Sequence, residues 1–280
     1  DRQENDLVHI TLDVWQDKAY YLGKEYPAGY FAAGVLNVSH NLFVTITGEG
    51  GFLLDAYAIA KFGDREQLEE LLPVLWESVE NMLRSLRQVP PFSLWNMEAE
   101  LGKMRAMLSK DHIDQLLDNP EEKMWFLAYL RAGILLPISI YHFVIAAWHL
   151  ETYYLHRLGK RDETHFAVAF HDFYHDPSTK EVLEKMFAPT IEPFDANPRL
   201  RSSYTFARDP KDEKKMIFVN RVFFSSYMDF YVYDLLNGMH WGHAPSLCEC
   251  CLKYFLTTDS HKPKYCDGMA PQNPHYTCRQ

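Results

Sequence analysis

All five cysteines of this chain lie in its last 33 residues, and that clustering constrains the fold more than any other feature. A disulfide framework would spread cysteines through the fold, whereas clustered cysteines are typical of a metal site in a reducing compartment. Four of them follow the pattern Cys248-x2-Cys251-x14-Cys266-x11-Cys278. A C-x2-C turn places two thiolates on one edge of a tetrahedron, and a distant pair closes the opposite edge. We therefore expect one structural zinc ion bound by these four residues, in a cytoplasmic protein.

Two details of the pattern leave alternatives open. The last gap is longer than the second pair of a standard zinc ribbon, so His275 could replace Cys278 as a ligand. Cys250 is the odd cysteine, because two adjacent cysteines cannot easily bind one tetrahedral ion. A closed four-thiolate site leaves no open coordination position, and we expect it to stabilise the fold rather than to catalyse. Because Cys278 lies two residues from the end of the sequence, we also expect the zinc segment to continue in a longer polypeptide.

The rest of the sequence favours an α+β fold that is mostly α, with a helical body, short β elements and a C-terminal zinc knuckle. With 280 residues, of which 47% are hydrophobic, the chain can bury a sizeable core. Composition and hydrophobic period divide it into a mixed α/β N-terminal region (1–60), a helical body (61–190), a β-hairpin followed by a helix (191–247) and the zinc-binding segment (248–280).

The first sixty residues contain two strand signals. Residues 7–15 alternate apolar and polar side chains, which predicts a strand. Residues 41–47 are rich in β-branched side chains and run into the glycines of Gly48-Glu49-Gly50-Gly51, so we predict a strand that ends in a turn or loop. A short apolar helix is predicted over 52–62.

The helical body begins with a start signal. Asp64 is an N-cap candidate, and Gln67 occupies the capping-box position three residues later. Apolar residues recur every three or four positions from Leu68 to Leu86, which predicts an amphipathic helix. Pro73 lies inside this stripe and is expected to kink or restart the helix. The apolar stripe resumes between Trp95 and Leu117.

A further helical block, from Pro120 to about His175, raises the question of a membrane span. Its segment Ala132–Leu150 has no Asp, Glu, Lys or Arg across 19 positions, which is long enough to cross a bilayer. Pro137, the histidines within the segment and the lack of a second such segment argue against a span. We therefore favour a central core helix and no membrane span.

The region before the cysteines has a different sequence pattern from the helical body. Residues 199–219 read as two short strands joined by the charged turn Asp209-Pro210-Lys211-Asp212. A helix is predicted from about Phe223 to Asn237, and Gly238 and Gly242 are expected to end it.

Four short motifs occur in the last 58 residues: FFSSYMDFYVYDLL at 223–236, CxxCxKYF at 248–255, KYCD at 264–267 and TCR at 277–279. On these motifs the chain resembles an uncharacterised family of bacterial helical proteins with a zinc-knuckle-like C-terminal region. Members of that family usually carry glycine where Leu252 stands, and they usually continue past the Thr-Cys-Arg motif. The resemblance implies a metal site and a helical fold, but no activity. In architecture the chain is also similar to bacterial regulators that join a helical domain to a C-terminal zinc finger.

The histidines offer a different metal site. Three of them are spaced seven residues apart: His142, His149 and His156. That spacing separates them by about 10 Å along a helix, which is too far for one ion. His171 and His175 are four residues apart with Asp172 beside them, so this trio is the candidate site of a metal-dependent hydrolase. Phosphate-binding loops, nucleophile elbows and dinucleotide fingerprints are absent from the sequence.

Charge limits the partners. A formal net charge of −10 argues against a protein whose whole surface attracts nucleic acid or anionic lipid, so any such contact has to be local. The most basic stretch, Arg199 to Arg221, has interleaved aromatic residues and could dock nucleic acid or protein, although a solvated hairpin is the simpler interpretation. We favour a non-enzymatic bacterial regulatory or accessory protein in which the zinc segment orients a surface that binds nucleic acid or a protein partner, with nucleic acid bound through the C-terminal region. The alternatives are a protein-interaction module of a defence or mobile-element system, and the hydrolase.

Overall fold

The structure is a computed structural model that describes residues 6–187, 197–209, 212–258 and 263–280. Its fold is α+β and mostly α, as the sequence predicts. The chain divides into two compact units. One unit contains Ile10–Asn37 and His142–Gln280, and the other contains residues 6–9 and Val38–Tyr141.

The described α-helices are α1 (Tyr30–Val35), α2 (His40–Phe62), α3 (Arg65–Leu86), α4 (Met97–Met107), α5 (Ile113–Asp118), α6 (Pro120–Leu150), α7 (Glu163–His175), α8 (Pro177–Phe187) and α9 (Tyr227–His240). A π-helical turn, Glu151–Leu155, extends α6. The described strands are β1 (Ile10–Trp15), β2 (Lys18–Tyr21), β3 (Lys24–Pro27), β4 (Leu200–Asp209), β5 (Asp212–Phe224), β6 (Ala244–Leu247), β7 (Tyr254–Thr257), β8 (Met269–Ala270) and β9 (Asn273–Thr277).

In the unit of Val38–Tyr141, α3 forms where the start signal and the apolar stripe predict it. The Asp64 carboxylate accepts a hydrogen bond from the Gln67 backbone N–H, and the Gln67 side chain accepts one from the Asp64 N–H, both at 3.1 Å. The apolar residues of the stripe are buried. The helix does not restart at Pro73, which is exposed. Water can therefore hydrogen-bond the Glu69 carbonyl that Pro73 leaves without a donor.

The strand predicted over 41–47 is wrong, because these residues belong to the 23-residue helix α2. Ser39 caps this helix by accepting a hydrogen bond from the Leu42 N–H at 3.3 Å. Its buried residues recur at helical spacing: Leu42, Ile46, Gly50, Leu53, Ala56 and Ala60. The local β-propensity of the branched residues is overridden by this buried face.

One of the glycines that suggested a turn, Gly50, instead allows two helices to pack closely, as does Gly133 of α6. A Cβ atom at Gly50 would lie 3.0 Å from the Pro137 side chain of α6, and one at Gly133 would lie 2.6 Å from Leu53 of α2. Glycine at both positions therefore permits the close approach of α2 and α6.

Among the described residues, two helical segments are long and apolar enough to cross a membrane by length and composition: His40–Phe62 and Pro120–Leu155. Sequence patterns indicated only the second of these, so the expectation that the chain lacks another such apolar segment is wrong. More than half of the most apolar window of the second segment, 56%, is buried within the protein, as expected of a core helix, against 28% for the first.

In the other unit, strands from two distant parts of the chain form one antiparallel sheet in the order β3-β2-β1-β5-β4. The pairing of β1 with β5 places Ile10 opposite Phe224 and Val14 opposite Asn220. Arg221 of β5 donates two hydrogen bonds to Asp13 of β1, at 2.6 and 2.7 Å. The predicted hairpin is confirmed with longer strands, while Pro210 and Lys211 of its predicted turn lie outside the described residues.

Helix α9 packs on this sheet and on α1. The Phe230 ring contacts Phe224 of β5 and Phe31 of α1, with ring centroids 5.5 and 5.3 Å apart. The buried Asp234 carboxylate accepts hydrogen bonds from the backbone N–H groups of Gly29 and Ala32, at 3.0 and 2.9 Å, and so anchors the start of α1. Burial raises the pKa of Asp234 to about 6, although these N–H groups act to lower that pKa.

Gly238 does not end α9 as predicted, because it lies inside the helix. A Cβ atom at Gly238 would lie 2.8 Å from the Gly29 Cα and 3.1 Å from the Ala28 carbonyl oxygen. Glycine is therefore required here for backbone-to-backbone contact with the chain that leads into α1. Gly242, with φ of 80°, takes the left-handed conformation just after the helix, as predicted for a residue that follows its C-terminus.

Candidate metal centre

Two β-hairpins bring the predicted cysteines together. Strands β6 and β7 pair antiparallel, and Cys248 and Cys251 lie in the loop that joins them. Within this loop the Cys248 carbonyl accepts a hydrogen bond from the Leu252 N–H at 3.0 Å, which closes the C-x2-C turn. Cys266 precedes the β8–β9 hairpin and Cys278 follows it. The Cys278 N–H donates to the Gly268 carbonyl at 2.7 Å, which brings the two flanks of that hairpin together.

The four sulfur atoms of Cys248, Cys251, Cys266 and Cys278 lie within 4.8 Å of one another. A zinc ion bound to four sulfurs at about 2.3 Å would separate them by about 3.8 Å. The Cys251 and Cys266 sulfurs are 3.7 Å apart, which matches one edge of such a tetrahedron. Two of the four cysteines are buried, Cys248 at 0% and Cys278 at 7% exposure, while Cys251 and Cys266 are half-buried. These four cysteines can hold a metal ion.

Backbone N–H groups surround one of the sulfurs. Burial alone raises the pKa of the Cys248 thiol, but N–H groups of Cys251, Cys266 and Cys250 outweigh burial and lower that pKa to about 6. The Cys266 N–H lies 3.4 Å from the Cys248 sulfur. Burial raises the pKa of the Cys266 and Cys278 thiols. The loop is thus arranged to stabilise negative charge at Cys248.

Two residues that the spacing left in question, His275 and Cys250, lie outside the four-sulfur group. His275 is exposed and lies outside the group, whereas Cys278 belongs to it. Cys250 also lies outside, with its sulfur 3.9 Å from the Gln272 side-chain oxygen. The structure therefore brings together the four cysteines chosen from the sequence.

The β6–β7 hairpin is fastened to the rest of its unit by two side chains that sequence reasoning missed. The Asn37 amide donates to the Tyr254 carbonyl at 2.8 Å and accepts from the Tyr254 N–H at 2.7 Å, as a neighbouring strand would. The buried Arg161 guanidinium donates to the Pro245 carbonyl of β6 at 3.0 Å and to the Leu155 carbonyl at 3.3 Å. A single Asn or Arg in a connecting segment carries no local pattern that could have revealed these contacts.

The histidine trio proposed for a hydrolase is exposed on α7. His175 Nδ1 donates to the His171 carbonyl at 2.8 Å, and the two rings stack with centroids 4.3 Å apart. His171 Nδ1 lies 3.2 Å from the Asp172 carboxylate. Among the described residues, the cysteines are the only group of three or more Cys, His, Asp or Glu side chains placed to share one ion. Within the residues that the structure describes, no geometry therefore supports the hydrolase alternative.

Among the described residues, the three spaced histidines form no group that could share an ion. His142 is buried, and His149 Nε2 lies 3.2 Å from the Thr179 hydroxyl. Burial lowers the pKa of His149, which favours its neutral form.

Leu252, where the resembled family usually carries glycine, has a left-handed backbone with φ of 57° and a side chain that is 72% exposed. We expect Leu252→Gly to stabilise the metal-loaded protein by about 0.5–1 kcal/mol. The left-handed conformation costs an L-residue about 1–2 kcal/mol, and glycine avoids that cost. Part of the gain is lost because glycine increases the conformational entropy of the unfolded chain. Urea unfolding would measure the change. Leu252→Ala is the control, because alanine keeps the backbone strain; an equal gain from alanine would show that strain is not the cause.

Comparison with known sequences finds a match to the C-terminal part of the chain. A family model described as Family of unknown function (DUF6076) matches residues 195–280. Searches of the curated proteins and of the solved structures found no match. The matched range includes β4, β5, α9 and all five cysteines. It confirms the resemblance to an uncharacterised family, and it begins earlier than the resembling motifs by including the β4–β5 hairpin.

Proposed function

We propose that this protein is a zinc-stabilised binding protein with a regulatory or accessory role, and that it binds nucleic acid through its C-terminal region. The observation that carries the first part is the convergence of four cysteine sulfurs within 4.8 Å. Four thiolates in this arrangement favour zinc or an iron–sulfur centre, and the C-x2-C turn with a closed tetrahedral set is typical of structural zinc.

A binding role fits this metal site better than catalysis. Four protein ligands leave a zinc ion no position for water or substrate, so the ion holds the two hairpins together. The site belongs to the range matched by the family model, as does the basic segment 199–221. That segment holds seven Lys/Arg and three Asp/Glu, while the remainder of the chain holds 21 and 35. A local positive segment in an acidic protein supports a local contact with phosphates.

The second candidate is a protein-interaction module, as in defence or mobile-element systems. The acidic remainder of the chain favours it, because that surface repels nucleic acid. The two candidates differ in salt dependence: phosphate contacts release counterions and weaken steeply as salt rises.

The test is made on the whole purified chain. Elemental analysis should find one zinc and no stoichiometric iron per chain. Fluorescence anisotropy with a labelled mixed-sequence oligonucleotide, single-stranded and duplex, should show binding of at least one form at 50 mM salt that falls several-fold by 200 mM. A chain without zinc would contradict the metal assignment. Absence of binding to either form at 50 mM salt would contradict nucleic-acid binding and favour the protein-interaction module.

A further inference from the structure

The β4–β5 hairpin extends beyond the rest of its sheet. Strand β1 pairs with β5 only as far as Asn220, whereas β4 continues to pair with β5 to the Asp209–Asp212 pair. Towards the hairpin turn, β5 therefore has β4 as its only strand partner among the described residues.

One face of this two-stranded segment carries large exposed apolar side chains. Phe206 pairs with Phe218, and Tyr204 lies two residues from Phe206 along β4, so the three rings share a face. Their exposed fractions are 82% for Tyr204, 69% for Phe206 and 75% for Phe218. Met216, 57% exposed, pairs with Arg208 on the same face. We call Tyr204, Phe206, Met216 and Phe218 the aromatic face.

In the part of β5 that pairs with β1, the same face of the strand is covered by other residues. Val222 and Phe224 are 0% and 4% exposed, and the Phe224 ring packs against Phe230 of α9. The alternation of side chains thus continues along β5, but the apolar face is buried at the end that pairs with β1 and exposed towards the hairpin turn. A contiguous exposed apolar patch of this kind marks an interaction site.

Two exposed cationic side chains share the aromatic face: Arg208, opposite Met216, and Lys214, two residues before Met216 on β5. Lys215 lies on the other face and forms an ion pair with Asp212 at 3.5 Å. The segment 199–221 has a formal charge of +4, from seven Lys/Arg and three Asp/Glu, in a chain of −10. This local charge favours a polyanion as the partner and disfavours an apolar surface of a second copy of the same acidic chain.

We propose that the aromatic face binds single-stranded nucleic acid, with bases stacked on Tyr204, Phe206 and Phe218 and phosphates near Arg208 and Lys214. This inference rests on the proposed nucleic-acid-binding function and gives that function a surface and a substrate class. Aromatic rings on a β-sheet surface are a recurrent platform for unpaired bases, and cations beside them contact the backbone.

The spacing of the rings supports this occupant. Same-face residues two apart on a strand are separated by about 6.7 Å, roughly twice the 3.4 Å step between stacked nucleotides. A cross-strand pair brings Cβ atoms to about 5 Å, so Phe218 lies beside Phe206 and widens the ring surface across the two strands. Bases in a duplex have their faces covered by their neighbours, so only an unpaired strand can use all three rings. Because stacking and phosphate contacts do not read the sugar, RNA and DNA single strands should bind alike.

The test measures the fluorescence anisotropy of three fluorescein-labelled probes as the full chain is added. The probes are 15-nucleotide oligouridylate, 15-nucleotide oligothymidylate and a 15-base-pair duplex. We expect both single strands to bind within about threefold of each other and the duplex at least tenfold more weakly. Phe206→Ala should weaken single-strand binding at least about fivefold, since stacking on one ring contributes about 1–3 kcal/mol by alanine substitution. Phe206→Tyr should retain binding, whereas Phe206→Leu should not, because leucine is apolar but has no ring face.

Two matched controls accompany these variants. Phe62→Ala removes a phenyl ring that is 80% exposed in the other unit, and it should leave binding unchanged. Lys24→Ala removes an exposed cation on β3, at the opposite edge of the same sheet, and should leave the salt dependence unchanged. Arg208→Ala should reduce the slope of log K against log salt by about one. Unchanged circular dichroism and melting temperature would show that the variants remain folded.

The outcomes separate this inference from the function on which it rests. Single-strand binding that is lost in Phe206→Ala and kept in Phe62→Ala supports the aromatic face as the site. Oligonucleotide binding that is insensitive to Phe206→Ala and Phe218→Ala overturns the inference but keeps nucleic-acid binding. Equal affinity for the duplex also overturns the inference. It is likewise overturned if oligoglutamate binds and Phe206→Ala weakens that binding as much as it weakens single-strand binding. Failure of all three oligonucleotides to bind at 50 mM salt overturns both proposals.

Discussion

Substitution of Cys248 by serine is expected to weaken zinc binding by about two to three orders of magnitude. Structural zinc sites contribute about 10–16 kcal/mol in all, so one of four thiolates accounts for roughly 2.5–4 kcal/mol, and each 1.4 kcal/mol is a factor of ten. Cys248 is fully buried, and backbone N–H groups lower its thiol pKa to about 6, so its loss also removes a thiolate whose negative charge these N–H groups stabilise. Competition with a chromophoric chelator measures the affinity.

Cys250→Ser is the matched control, because this neighbour of Cys251 lies outside the four-sulfur group. It should keep one zinc per chain and an affinity within a few-fold of the wild type. A second pair, Cys278→Ser against His275→Ala, distinguishes the two possible fourth ligands: affinity should fall with the first substitution only. Equal losses in Cys248→Ser and Cys250→Ser would contradict the assignment of ligands.

Removing the metal should have a local effect on stability as well. The β6–β7 and β8–β9 hairpins are short, and hairpins of this size are marginally stable in water without further support. Chelation should therefore speed amide hydrogen exchange in Tyr254–Thr257, while helix α3 in the other unit keeps its protection.

Gly238→Ala is expected to destabilise the protein by roughly 2–3 kcal/mol, although alanine is the better helix former by about 1 kcal/mol. The added Cβ would lie 2.8 Å from the Gly29 Cα and 3.1 Å from the Ala28 carbonyl oxygen, and neither backbone atom can move aside as a side chain could. Gly29 also has φ of 88° and donates its N–H to the buried Asp234 carboxylate, so displacement of this segment would disturb the start of α1.

The control is Gly102→Ala in α4, where an added Cβ meets no atom within 4 Å. This substitution should stabilise by about 0.5–1 kcal/mol, as expected for an unobstructed helical glycine. Urea unfolding of both variants tests the contrast. If Gly238→Ala proved as stable as Gly102→Ala, the close contact of α9 with Gly29 would have to be wrong.

Signals that lie within a few residues of each other predicted structure correctly. Asp64 and Gln67 form the capping box that their spacing indicates, and the apolar stripe after them is the buried face of α3. The C-x2-C pair likewise predicted a tight turn, and the choice of Cys266 and Cys278 as its partners agrees with the group of four. Such patterns succeed because a cap, a turn and a helical stripe depend on neighbouring residues.

The errors occurred where a distant contact decides the local conformation. Residues 41–47 carry a strand-like composition, yet they are helical because α2 has a buried face and Gly50 fits against Pro137. Gly238 carried a stop signal but serves a contact with Gly29, over two hundred residues away. Glycine has the same sequence signature for a turn and for close packing, so its neighbours in space determine which applies.

The sequence by itself determined that Cys248 and Cys251 share a tight turn, that α3 begins after Asp64, and that a hairpin precedes α9. Only the tertiary structure decided that β1 joins β5 in one sheet, that Asn37 pairs with Tyr254, and that the aromatic face of the hairpin is bare. Strand pairing and burial are set by contacts between residues far apart in the chain, and alternation along a strand does not say which neighbour covers it.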